Sequence, residues 1–182
     1  LRSRPAEPVR RGVTDPLVTD RPTDDAAAAE AAFIPTDRAQ FFFTPTVVNT
    51  GEQVVLFDAG LSAAGTAAAF EAAGLTTDDV DTVVITHMHG DHIGGNKGMV
   101  AATGAKIIAH NNAAGRIPNM DRGVGAGDVI SVGTTVDLEC LDTPGHTMCH
   151  ICLLSHTDQP ALFSGDTLFL GAAGAGRDDL PG

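Results

Sequence analysis

The chain has 182 residues, 43% of them hydrophobic, a composition that suits one soluble domain with a real core and excludes a disordered polymer. No apolar run approaches the roughly 18 residues of a membrane span. A net charge of −12 argues against nucleic acid or an anionic membrane as main partner, because both would repel it.

Residues 1–32 carry Pro5, Pro8, Pro16 and Pro22, many charges and little periodicity. They read as an extended arm or linker, with one helical turn over 26–32, ahead of a domain spanning 33–182. Phe41-Phe42-Phe43 with Thr46-Val47-Val48 predicts a strand, and residues 52–57 a second, joined by a turn at Asn49-Thr50-Gly51. The alanine-rich stretch 63–73 predicts a helix ending at Gly74. Residues 81–86 predict a buried strand, 93–103 a helix with weak glycine interruptions ending at Gly104, and 106–109 a strand; 111–127 read as loop-rich, and Gly94-Gly95 suit a close backbone approach at a helix start. Short strands follow at 129–132, 135–141, 150–154 and 161–163. Strands interleaved with helices, then a run of strands, indicate an α/β layered sandwich with mixed sheets.

Cys140, Cys149 and Cys152 are odd in number and form no paired framework. Cys149 and Cys152 are three apart in a predicted strand, so they point to opposite faces and make a poor redox or zinc pair. Buried thiols in a reducing compartment are the expectation. Arg10-Arg11 is followed by Gly12-Val13-Thr14-Asp15-Pro16, which is not the apolar stretch of an export signal, so the cytoplasm is expected.

Residues 87–92 read His87-Met88-His89-Gly90-Asp91-His92, directly after the β-rich run Thr82-Val83-Val84-Ile85-Thr86. Imidazole and carboxylate are ligands that zinc favours, and four such groups in six residues are awkward in a core unless a cation satisfies them. His87 and His89 alternate along an extended backbone and share a face. Two further segments have the same character. Leu141-Asp142-Thr143-Pro144-Gly145-His146-Thr147 puts a histidine in a turn after a strand, and Phe163-Ser164-Gly165-Asp166-Thr167 puts an aspartate just past one. Such groups can converge on one edge of a sandwich. Two metals roughly 3.5–4 Å apart there could share one carboxylate and stabilise an oxyanion.

On these residues the chain resembles the metallo-β-lactamase superfamily, whose hallmark H-x-H-x-D-H stands at His87 to His92. The resemblance runs from about residue 45 to 182 and includes Val54-Val55-Leu56-Phe57-Asp58-Ala59-Gly60. Within the superfamily the glyoxalase II (hydroxyacylglutathione hydrolase) branch is the most similar, through Asp91-His92-Ile93-Gly94-Gly95-Asn96, the stretch 116–128, residues 143–147 and 161–169. The resemblance implies an αββα sandwich. It implies His87, His89 and His146 on a first metal, Asp91 and His92 on a second, and Asp166 bridging, with Asp91 serving catalysis as well. Asp58 would fix the tautomer of a ligand histidine. One or two zinc ions, with iron(II) as the alternative, would ready a hydroxide to attack a thioester or similar acyl carbonyl of a small-molecule substrate. Lactone or β-lactam hydrolysis, a mononuclear iron persulfide dioxygenase, and a non-catalytic metal-binding fragment are the rival readings. The oligomeric state stays open, a homo-oligomer included.

The sequence departs from that branch in several places. It ends 16 residues after Asp166, where the family continues to a further histidine, so the second half of the sandwich reads as truncated. There is no Tyr for the branch's glutathione contacts. The Gly-Cys-Gly-Lys/Arg loop becomes Ala172-Ala173-Gly174-Ala175-Gly176-Arg177, leaving Arg177 to meet an anionic substrate. Met148-Cys149 replaces the usual Pro-Gly after Gly-His-Thr.

Overall fold

A computed structural model describes residues 45–169 and the backbone of 172–173. The arm at 1–32, Phe41 to Phe43 and Arg177 lie outside the described residues.

The strands β1 (Thr46–Asn49), β2 (Val54–Phe57), β3 (Thr82–Val84), β4 (Lys106–His110) and β5 (Met120–Val124) form a first sheet in that order. β1 is antiparallel to β2, and the other neighbours run parallel. A second, antiparallel sheet follows the chain: β6 (Val129–Val132), β7 (Val136–Asp142), β8 (Ile151–Ser155) and β9 (Ala161–Phe163). A short hairpin of β10 (Leu168–Phe169) and β11 (Ala172–Ala173) ends the described chain. Three helices, α1 (Ala63–Ala72), α2 (Gly90–Ile93) and α3 (Asn96–Thr103), lie between strands of the first sheet in sequence.

The first sheet is buried on both faces, which explains its continuous Val/Ile/Leu runs. Successive residues of one strand enter different cores. Leu56, Val83 and Ile107 pack with Phe70 of α1 and Met99 of α3, while Val55, Val84 and Ile108 pack with Ile130, Leu138, Ile151 and Leu153 of the second sheet. Phe57 stacks on Phe163 with centroids 4.1 Å apart, joining β2 to β9. Each such fully buried side chain contributes roughly 1.5–3 kcal/mol. In the second sheet β6 alternates exposed and buried, so only one face enters that core. The mixed α/β layers agree with the expected sandwich class.

Three expectations need correcting. The helix expected over 93–103 is two helices, because residues 92–95 are drawn against 59–61. Ala59 N–H donates to His92 O at 2.7 Å and Gly95 N–H to Gly60 O at 3.1 Å. A Cβ at Gly94 would fall on the Leu61 carbonyl, and one at Gly95 on that of Ala59. The segment 111–127, expected to be loop-rich with no strand assigned, contains β5. Its residues Asp121-Arg122-Gly123 lack apolar alternation, but the strand is held by β4 and by Asp121 Oδ2, which accepts the Ile107 N–H at 2.8 Å. The strand expected from residue 150 starts at Ile151, since His150 closes a turn instead, its N–H pointing to Thr147 O at 3.4 Å. Elsewhere boundaries shift by one or two residues.

Cys140, Cys149 and Cys152 are free and buried. Burial pushes the Cys140 thiol up to about 11, which makes it inert. Among the described residues no helix is long and apolar enough to cross a membrane.

Candidate metal centre

The carboxyl ends of β2 and β3 deliver Asp58 and Thr86-His87 side by side. Asp58 has the left-handed φ of 57°, unusual for a residue with a side chain. Its N–H bonds Val84 O at 2.9 Å, and its carboxylate accepts three hydrogen bonds. Oδ1 takes the Thr86 N–H at 2.8 Å, and Oδ2 takes the Thr86 hydroxyl at 2.8 Å and His92 Nδ1 at 2.9 Å. The backbone strain is thus held in place by an over-determined carboxylate.

This network sets the histidine tautomers. The Thr86 hydroxyl donates to Asp58, so toward His87 Nδ1, 3.2 Å away, it accepts. His87 therefore carries its proton on Nδ1 and turns a lone pair out through Nε2. His92 likewise gives Nδ1–H to Asp58 and turns out Nε2. Metal-ligating histidines need this arrangement, an outer hydrogen bond fixing the ring and freeing the other nitrogen.

The freed nitrogens converge. His87 Nε2 lies 3.0 Å from His89 Nδ1, which lies 2.9 Å from His146 Nε2. His89 Nδ1 carries at most one proton, so it can donate to only one of these two neighbours. Asp166 closes the group. Its Oδ2 is 3.5 Å from His146 Nε2 and 4.0 Å from His87 Nε2, while Oδ1 is 3.3 Å from His92 Nε2. Two donor sets, His87/His89/His146 and His87/His92/Asp166, each bring their ligand atoms within 4.8 Å of one another and could hold a metal ion. Imidazole nitrogens and carboxylate oxygens converging at these distances are the donor chemistry that a divalent cation satisfies, so the residues present fit a metal. Asp91, expected as a second-metal ligand, stands further out. Its Oδ2 is 3.8 Å from His92 Nε2, its side chain is 38% exposed, and neither close set includes it.

Electrostatics separate the two nitrogens that Asp58 frees. Burial first, then the neighbouring His92, His150, His89 and His146, hold His87 down to about 2, so it is neutral at any working pH. Burial also opposes a charge on His92, but the hydrogen bond to Asp58 and the charges of Asp58, Asp166 and Asp91 outweigh it and raise its pKa. Of the two rings that Asp58 orients, His92 is the one that favours a positive charge.

Two further residues belong to this centre. Thr86, given no role by the sequence, relays Asp58 to His87. His150, which the sequence suits to structural hydrogen bonding better than to ligation, is 1% exposed and packs against His87 with centroids 5.0 Å apart. Burial and then His146 hold it down to about 4. His110 caps the turn after β4 by accepting the Asn112 N–H at 3.0 Å, and pairs with Asp142 at 3.3 Å. His156 is exposed and bonds Glu139 at 2.7 Å.

The metallo-β-lactamase superfamily model matches residues 44–181, and the chain belongs to that superfamily. Among curated proteins it is similar to a hydroxyacylglutathione hydrolase of Polaromonas sp. (strain JS666 / ATCC BAA-500), with 70% identity over 95 residues, 52% of this chain and 36% of that protein. It is also similar to one of Nitrosococcus oceani, with 53% identity over 89 residues, 49% of this chain and 34% of that protein. The matches thus span about a third of the relatives' own length. Among solved structures it is similar to a Cronobacter sakazakii metallo-β-lactamase with a HARLDQ motif, at TM-score 0.59 and 23% identity, covering 65% of this chain and 56% of that one. That likeness speaks for the fold.

Proposed function

We propose that this chain carries the metal-binding part of a metallohydrolase acting on a thioester or similar acyl carbonyl of a small-molecule substrate, as the names of its curated relatives suggest. The observation that carries the reading is Asp166, whose two oxygens face different histidine sets. His87, His89 and His146 would hold one zinc, His92 and Asp166 a second, with Asp91 completing the second from the rim. Zinc held by these residues would supply an activated water and offset negative charge on an acyl oxygen.

The chain's own residues supply the rest. Asp58 orients His92 directly and His87 through Thr86, so the donor nitrogens are set before any ligand arrives. Asp91, partly exposed at the rim, would take up a proton released at the site.

The test is a hydrolysis panel on zinc-loaded protein with S-lactoylglutathione, an acyl-homoserine lactone and nitrocefin. Thioester cleavage that a chelator abolishes and that His146→Ala lacks is the expected result. Two zinc bound without thioester turnover would overturn the reading, and a single bound iron would favour dioxygenase chemistry.

A further inference from the structure

His150 touches every segment that carries the candidate ligands. Its Nε2 is 3.2 Å from the backbone nitrogen of Asp166, in position to accept that N–H. Its Nδ1 is 2.9 Å from Thr143 Oγ1 and 3.1 Å from Thr167 Oγ1. Its ring stacks on His87 at an interplanar angle of 24°. Its carbonyl accepts the Thr143 N–H at 3.0 Å, which closes the turn presenting His146.

The backbone N–H of Asp166 carries a fixed proton, so Nε2 must offer a lone pair. The ring proton then sits on Nδ1, where two hydroxyls stand ready to accept it. Gly165 makes the approach feasible, because a Cβ there would lie 2.8 Å from His150 Nε2 and 2.6 Å from Thr86 Oγ1.

We propose that His150 is the positioning residue of this centre: protonated on Nδ1, it anchors the Asp166 backbone so that one carboxylate oxygen reaches each histidine set. The assignment rests on the metal reading of His87, His89, His92, His146 and Asp166. Without the Nε2 acceptor, the Asp166 N–H would lose its partner in a half-buried turn, and the turn would shift to let water reach it. A carboxylate that must reach two donor sets at once tolerates little such movement.

Two measurements test this. Long-range proton–nitrogen spectra of the 182-residue chain without metal, near neutral pH, should show His150 protonated on Nδ1 and bare on Nε2; the opposite tautomer would overturn the proposal. Cobalt(II) titration, followed by absorption, should then separate two variants. Gln carries an oxygen to the Nε2 position, whereas Asn reaches only the Nδ1 position. His150→Gln should keep cobalt affinity within about threefold of the parent, and His150→Asn should lose about 10–100-fold, the range for outer partners of metal ligands. Equal behaviour of the two variants, unchanged affinity in His150→Asn, or a parent chain that takes up no cobalt would each defeat the assignment. Should His150→Asn fail to fold, the tautomer on the unaltered chain decides. Cobalt binding with no hydrolysis would instead remove the hydrolase reading and leave His150 in its role.

Discussion

Asp58 Oδ2 accepts the His92 Nδ1 proton across 2.9 Å, and through the Thr86 hydroxyl the same oxygen governs His87. One carboxylate therefore aims two nitrogens, one in each histidine set. Asp58→Asn keeps the shape but turns one accepting oxygen into an NH2 donor, so it cannot accept from the Thr86 N–H, the Thr86 hydroxyl and the imidazole together. Zinc affinity should fall about 10–100-fold, measured by competition with a chromogenic chelator. A change under about twofold would mean that the tautomers are set elsewhere.

His146 comes from the loop between β7 and β8, and its removal leaves only His87 and His89 in the first set. His146→Ala should lose zinc more severely than Asp58→Asn, beyond the roughly 100-fold upper range of an outer partner. Emission spectroscopy of the dialysed protein would show at least one zinc fewer per chain than the parent. A full zinc complement in the variant would remove His146 from the site.

Acid should destabilise the metal-free protein. His87 is held at about 2 and His150 at about 4 in the folded chain, against about 6.5 unfolded. Between pH 6.5 and 4 the unfolded chain binds two protons that the folded chain refuses, so stability falls as pH drops. Each contributes roughly 1.4 kcal/mol per pH unit once well below pH 6.5. Below pH 4 only His87 still contributes. His92 works the other way: its raised pKa adds stability below pH 6.5 that is lost as pH rises through the folded value. Urea unfolding between pH 7 and 4.5 should show a net decline, and a flat profile would contradict the neutral, buried state of His87 and His150.

Gly165 has φ +47°. Gly165→Ala adds left-handed strain of roughly 1–2 kcal/mol and pushes a methyl toward Thr86 and His150. The expected outcome is a destabilisation of about 2 kcal/mol or more, together with weaker zinc binding, by urea unfolding and chelator competition. Stability loss without any change in metal affinity would separate this turn from the centre.

Zinc at about a hundredfold its Kd should stabilise the fold by about 2.7 kcal/mol. For a chain of this size that corresponds to a rise in Tm of about 5–10 °C, reversed by chelator. Absence of any shift would argue against a site formed in the native state.

The ligand-type residues were legible because their chemistry is compact. Three imidazoles and a carboxylate in six residues have few alternative explanations, and His146 and Asp166 each follow a predicted strand. What stayed hidden depends on tertiary approach. Gly94 and Gly95 signalled a close backbone approach at a helix start, but not that the carbonyls of Leu61 and Ala59 make it or that this contact divides the helix. β5 escaped because a parallel strand can take its hydrogen bonds from a neighbour without apolar alternation of its own. Thr86 escaped because a hydrogen-bonding role is invisible until partners from distant segments stand beside it, and for His150 the hydrogen-bonding role was legible but not its partners Thr143, Asp166 and Thr167.

His87, His89 and His92 follow strands of the first sheet, whereas His146 and Asp166 hang from the second. Any ion that they jointly grip rivets the two leaves of the sandwich together at one rim. Loading would then slow the prying-apart of the leaves as well as equip the site for chemistry, so resistance to proteases and the capacity to react would rise and fall as one.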